Sequence, residues 1–280
     1  MTTRLDQRWG PDAPDFRDIS VDSERASELW RYLSIVGDPA TSVDFRDEFL
    51  FEWEPDDSSC QVSHACCSVL EYFLAQSEGS LVRLSRKFVA RSARLFEGPS
   101  THADLSIRAA LRSIRRTGLP PHTLVRNVEQ SGMTAESSPL CYAFASDYSD
   151  LVYVRIDRSD VRETLKLMKR LLNAWIPCIV GLSFPSTLPW TSELQLRDRF
   201  DKITDRGVIV LCGYEDHSKW HGEGTFTFHG PFPSTWGEKG FGTMHYSYLL
   251  QGMASDIWVA FKSDWLKKMT QNRRLGTPSD

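Results

Sequence analysis

Ser59-Cys60-Gln61-Val62-Ser63-His64-Ala65-Cys66-Cys67-Ser68-Val69-Leu70-Glu71-Tyr72-Phe73 decides how this chain folds. Val62, Ala65, Cys66, Val69, Leu70 and Phe73 recur at helical spacing. Ser58 and Ser59 stand where an N-cap is wanted. The spacing predicts a helix over 61–74, and its wide apolar stripe predicts a central position.

Outward from that helix the chain divides by texture. Residues 1–42 are polar, broken by Pro11, Pro14 and Pro39, and read as an irregular arm with one short helix near 23–33. Further helices are predicted over 81–96 and 104–117, the latter stopped by Gly118 and Pro120–Pro121. The stretch 133–139 reads as linker. Beyond Cys141, short runs rich in β-branched and aromatic residues predict strands at 151–156, 176–184, 208–214, 225–229 and 257–261. One amphipathic helix, 160–173, interrupts them, with Asp160 and Glu163 placed as a capping box. A helical first half and a strand-rich second half predict an α+β fold of two lobes. The expected division is an arm (1–42), a helical lobe (43–140), and a mainly β lobe ending in a helix (141–280).

Bulk properties narrow the function classes. With 280 residues, 41 % hydrophobic and 25 % charged, the chain can bury a sizeable core. A net charge of −4 argues against a nucleic-acid footprint. Arg108, Arg112, Arg115 and Arg116 read as one solvated helix face. No run approaches the length of a membrane span, and no secretory pattern is visible at the N-terminus, so a cytoplasmic location with reduced thiols is expected. Cys178 and Cys212 lie in apolar runs, where Cys packs as a small core residue.

Several motifs together resemble the papain family of cysteine peptidases. VDFRDEF (43–49) resembles the opening of the family's mature domain, and SVLEYF (68–73) the helix that carries its nucleophile. VIVLCGYED (208–216) is similar to the strand after the family's His, and STWGEKGFG (234–242) to its Trp-Gly-rich strand region. RWGPDAPDFRD (8–18), MHYSYLL (244–250) and DIWVAFKSDWL (256–266) resemble the two ends of a bacterial branch. The resemblance implies a papain-like fold, with a cleft between a helical lobe and a β-barrel-like lobe.

It also implies that the chemistry is missing. In the family's frame the nucleophilic Cys maps to Gln61, the base His to Gly207, the orienting Asn to Gly230, and the oxyanion-binding Gln to Pro55. A papain-like thiolate needs Cys at a helix N-terminus beside a His, held by the Asn and answered by an oxyanion donor. Gln is no useful nucleophile, Gly207 cannot carry a proton, and Pro55 has no donor at all.

Other residues stand as candidate substitutes. Cys60 precedes the nucleophile position, but one residue turns a helical side chain by about 100°. His229, directly before Gly230, reads as a relocated base or a strand residue at the cleft edge. Cys60 and His64, with Cys66 or Cys67, read as a weak metal set that lacks a second ligand pair. His217 and His221 flank Trp220 in what reads as an exposed hairpin loop, and His102, His122 and His245 stand in no constellation. Trp236 is expected to pack beside the old site. The candidate cleft residues are Asp56, Ser59, Cys60, Gln61, Gly207, His229 and Trp236.

The expectation is an inactive papain-like protein, a pseudopeptidase, whose cleft or surface binds a peptide, a protein partner or a small molecule. No cofactor, nucleic acid or membrane is expected. Two alternatives stand beside it. One is an enzyme of a biosynthetic pathway that uses the old cleft for another reaction. The other is a hydrolase run by Cys60 with a relocated His.

Overall fold

The computed structural model describes residues 9–13, 15–16, 18–50, 61–97, 104–132, 138–185, 192–194, 203–217 and 223–276. In chain order the elements are α1 (Ser27–Val36), β1 (Ser42–Asp44), α2 (Gln61–Glu78), α3 (Arg86–Glu97), α4 (Ile107–Thr117), α5 (His122–Gln130) and α6 (Pro139–Ala143). There follow β2 (Val152–Arg155), α7 (Val161–Asn173), β3 (Cys178–Pro185), β4 (Glu193–Leu194), β5 (Ile203–Asp216), β6 (Gly224–His229), β7 (Phe241–His245), α8 (Tyr246–Leu250), β8 (Ala254–Phe261) and α9 (Ser263–Gly276). The fold is α+β, as the texture of the sequence predicts.

The sheet runs β2-β8-β3-β5-β6-β7-β4, antiparallel except for the short β4–β7 pairing, with β1 added on β5. Here the structure corrects one expectation. The β lobe is an open sheet, because its edge strands β2 and β4 do not pair among the described residues. β3 and β5 form its centre, in register from Cys178–Leu211 to Phe184–Asp205. Their continuous apolar runs fit strands covered on both faces.

α2 is the axis of the molecule. Every residue from Gln61 to Leu74 is buried, beyond the one-sided stripe that the spacing predicts. It packs on α3, α4 and α9 and on β5, β3 and β8. A helix enclosed all round must satisfy its polar side chains internally, and Glu71 does so. Its carboxylate takes both guanidinium nitrogens of Arg86 at 2.6 and 2.7 Å, and the Leu84 N–H at 2.7 Å.

Helices α5, α6 and α8 are not among those that the spacing predicts. Pro120–Pro121 ends α4 but also starts α5, with Pro121 as its N-cap. α8 lies inside the MHYSYLL motif. α7 begins one residue inside its predicted span, with Asp160 capping through the Arg162 N–H at 2.8 Å; Glu163 pairs with Lys166 instead of closing a capping box. Among the described residues, no helix is long and apolar enough to cross a membrane.

Candidate functional site

Gln61 opens α2 with its side chain buried, and that side chain is engaged. Pairing between β5 and β6 stops at Val210–His229. Two residues further, the Val208 N–H donates to Gln61 Oε1 at 3.0 Å. The amide thus joins the start of the central helix to the central strand. Val208 follows Gly207, which faces Leu182 across the β3–β5 ladder. Replacing Gln61 by Leu should strand that buried N–H and lower stability by about 1–3 kcal/mol. Urea unfolding checks this.

One turn along α2, His64 meets His229 from the end of β6, with ring centroids 5.3 Å apart. His229 is also packed by Phe49 at 5.5 Å and Phe241 at 5.0 Å. Both imidazoles are buried, and neither Nδ1 has a hydrogen-bond partner. His64 Nε2 lies 3.4 Å from Ser68 Oγ. Burial, followed by the nearby positive charge of Arg86, lowers the His229 pKa to about 4. Burial, Arg86, His229 and Arg83 hold His64 well below the ordinary histidine range. Both rings are therefore neutral and weakly basic at neutral pH. This pair is not legible in the sequence, where His64 and His229 stand far apart and each is read alone.

The Gly230 position is occupied by packing. A Cβ added there would lie 2.4 Å from the Phe232 ring. Phe232 in turn stacks on Trp236 at 3.8 Å, with 15° between the planes. Trp236 is half-buried and packs beside the site through Phe232 and Phe228.

Pro55, Asp56, Ser58, Ser59 and Cys60 lie outside the described residues, as do His102 and His221. The described cysteines, Cys66, Cys67, Cys141, Cys178 and Cys212, are buried and form no disulfide. Burial pushes the Cys178 and Cys212 thiols up, away from the thiolate. His217 is exposed at the end of β5, and its ring approaches that of His245 at 6.3 Å. His245 Nε2 lies 3.2 Å from Glu193. No group of three metal-ligating side chains occurs among the described residues. Beside the cluster, Phe49, Ser68, Glu71 and Tyr72 border an opening of about 10 Å³, room for about one water.

This architecture matches solved structures of papain-like proteases. Xylellain, a cysteine protease from Xylella fastidiosa, superimposes with a TM-score of 0.70 over 91 % of this chain and 96 % of its own, at 19 % identity. Procathepsin L 3 from Tenebrio molitor larval midgut matches at 0.58 over 90 % and 82 %, with 17 % identity. Bromelain from Ananas comosus, in complex with the E64 inhibitor, matches at 0.53 over 80 % and 99 %, with 15 % identity. No family model and no curated protein matches the sequence. The fold is the two-lobed fold of papain-like proteases.

Proposed function

We propose that this chain is a papain-like protein without thiol-peptidase chemistry, a pseudopeptidase of the cytoplasm whose cleft or surface binds a peptide, a partner or a small molecule. The observation that carries the reading is the Gln61 amide. It stands at the head of the helix that would present a nucleophile, and its oxygen is committed to the Val208 N–H. Gly207 beside it offers no imidazole. The histidines that do stand nearby, His64 and His229, are buried and face each other.

The test uses the full-length chain with an epoxide inhibitor of the E64 type, iodoacetamide and fluorogenic peptide substrates. The expected result is no selective labelling and no turnover above the uncatalysed rate. Selective labelling of Cys60 that Cys60→Ser abolishes, together with turnover, would overturn the reading.

A further inference from the structure

The end of β6 opposite His229 carries a second meeting of histidines. Thr225, near the start of β6, pairs with Glu215 of β5 on one side and with His245 of β7 on the other. Directly paired residues, and residues two apart on a strand, point to the same face of a sheet. That rule sets His217, two beyond Glu215, on the face that carries Thr225 and His245. Glu193 joins them, because it pairs with Thr243, two residues before His245. The His217 N–H donates to the Glu223 carbonyl at 3.1 Å, which keeps the backbone in line past the end of β5. In the sequence His245 stands alone and His217 is read beside His221; strand order brings His217 and His245 together.

Each ring has one nitrogen engaged. His245 Nε2 lies 3.2 Å from the Glu193 carboxylate, and His217 Nε2 lies 3.4 Å from Thr225 Oγ1. Nδ1 of both rings is left open to a ligand. A histidine that ligates a metal through one nitrogen gives its other N–H to a carboxylate, which fixes the tautomer and raises the basicity of the ligating atom. Glu193 stands in that place for His245. The ring centroids are 6.3 Å apart, with 85° between the planes. A metal held about 2.0–2.1 Å from a nitrogen of each imidazole lies roughly 3.2 Å from each centroid, so rings up to about 6.4 Å apart can share one ion. The ion must lie in the plane of both rings, where the nitrogen lone pairs point. Two steeply inclined planes meet in a line that offers such a point.

His217, Glu193 and Glu215 are exposed and His245 is half-buried, so an ion reaches the rings and the carboxylates add negative charge around it. No third ligating side chain converges on the pair among the described residues. Water completes the coordination.

We propose that His217 and His245 clasp a divalent transition cation of the zinc type, with Glu193 orienting His245, and that the ion ties β5 to β7 across β6. Imidazole donors suit Zn²⁺, Cu²⁺ and Ni²⁺ and do not suit Mg²⁺ or Ca²⁺. The site stands apart from the cleft, so the proposal holds whatever the cleft binds.

The probe is Zn²⁺ alone, titrated into the full-length chain by isothermal calorimetry in a buffer that does not chelate. The expected result is saturable uptake that Mg²⁺ at the same concentration does not displace. His217→Ala and His245→Ala each leave a single imidazole and should weaken binding by about tenfold or more. Glu193→Gln keeps the shape, removes the charge and should weaken it by about tenfold. All three side chains lie on the outer face, and the circular dichroism of each variant should match that of the unaltered chain. Failure to saturate, displacement by Mg²⁺, or an affinity that any one of the three variants leaves unchanged would overturn the proposal.

Discussion

Replacing Glu71 by Ala is expected to lower the unfolding free energy by about 3–5 kcal/mol, among the largest effects of any single substitution in this chain. Arg86 is wholly buried and Glu71 nearly so. Burial alone pushes the Glu71 carboxyl up, while the guanidinium and the Leu84 N–H oppose that shift. Truncating the acid leaves a buried cation without its bidentate partner and strands the Leu84 N–H. The double variant Glu71→Leu with Arg86→Met should recover most of the loss, because a buried ion pair is costly chiefly when broken on one side. Urea unfolding followed by circular dichroism measures both. A loss under about 1 kcal/mol in the single variant would contradict the argument.

The second large effect is a loss of stability in mild acid that belongs to His229. Its folded pKa lies near 4, against an ordinary 6.5. In this range the unfolded chain takes up a proton that the folded chain refuses. The stabilising contribution is therefore complete above pH 6.5 and is lost as pH falls from 6.5 to about 4. A difference of this size corresponds to roughly 3 kcal/mol. His64 acts in the same direction, since burial first, then Arg86, His229 and Arg83, oppose its charging. Burial raises the carboxyl pKa values of Glu71 and Asp256, which has the opposite sign. For that reason the test is a difference. Unfolding free energies of the unaltered chain and His229→Phe are compared between pH 7 and pH 4. The variant should lose about 3 kcal/mol less over that interval. Parallel curves would show that His229 is not the group responsible.

Much of the fold can be read directly from residue order. α2 announces itself because its apolar residues keep helical spacing, and β3 and β8 because β-branched and aromatic residues are bunched in short runs. Element ends are less legible. β5 starts at Ile203, five residues before the apolar run, since a strand that projects past its cover tolerates Asp205 and Arg206. α5 hides behind Pro120–Pro121, a pair that ends one helix and begins another.

The candidate site is legible only as positions along the chain. Gln61, Gly207 and Gly230 are singled out by the resemblance alone, as positions in its frame. That Gln61 answers Val208, that His64 meets His229, and that Trp9 reaches Asp256 depend on contacts between residues far apart in the chain, to which no local pattern points. The open sheet is likewise a matter of which edges meet, and short strand runs do not encode closure.

Phe232 has a lasting consequence. Its ring lies where the β-carbon of any residue larger than glycine at position 230 would go, and it is pinned there by Trp236. Enlarging the side chain at position 230 would therefore demand more than one substitution. Asparagine introduced at 230 would arrive in occupied space, and an aromatic stack would have to be dismantled before the new group had any function to offer. The stack thus keeps position 230 closed to every larger side chain.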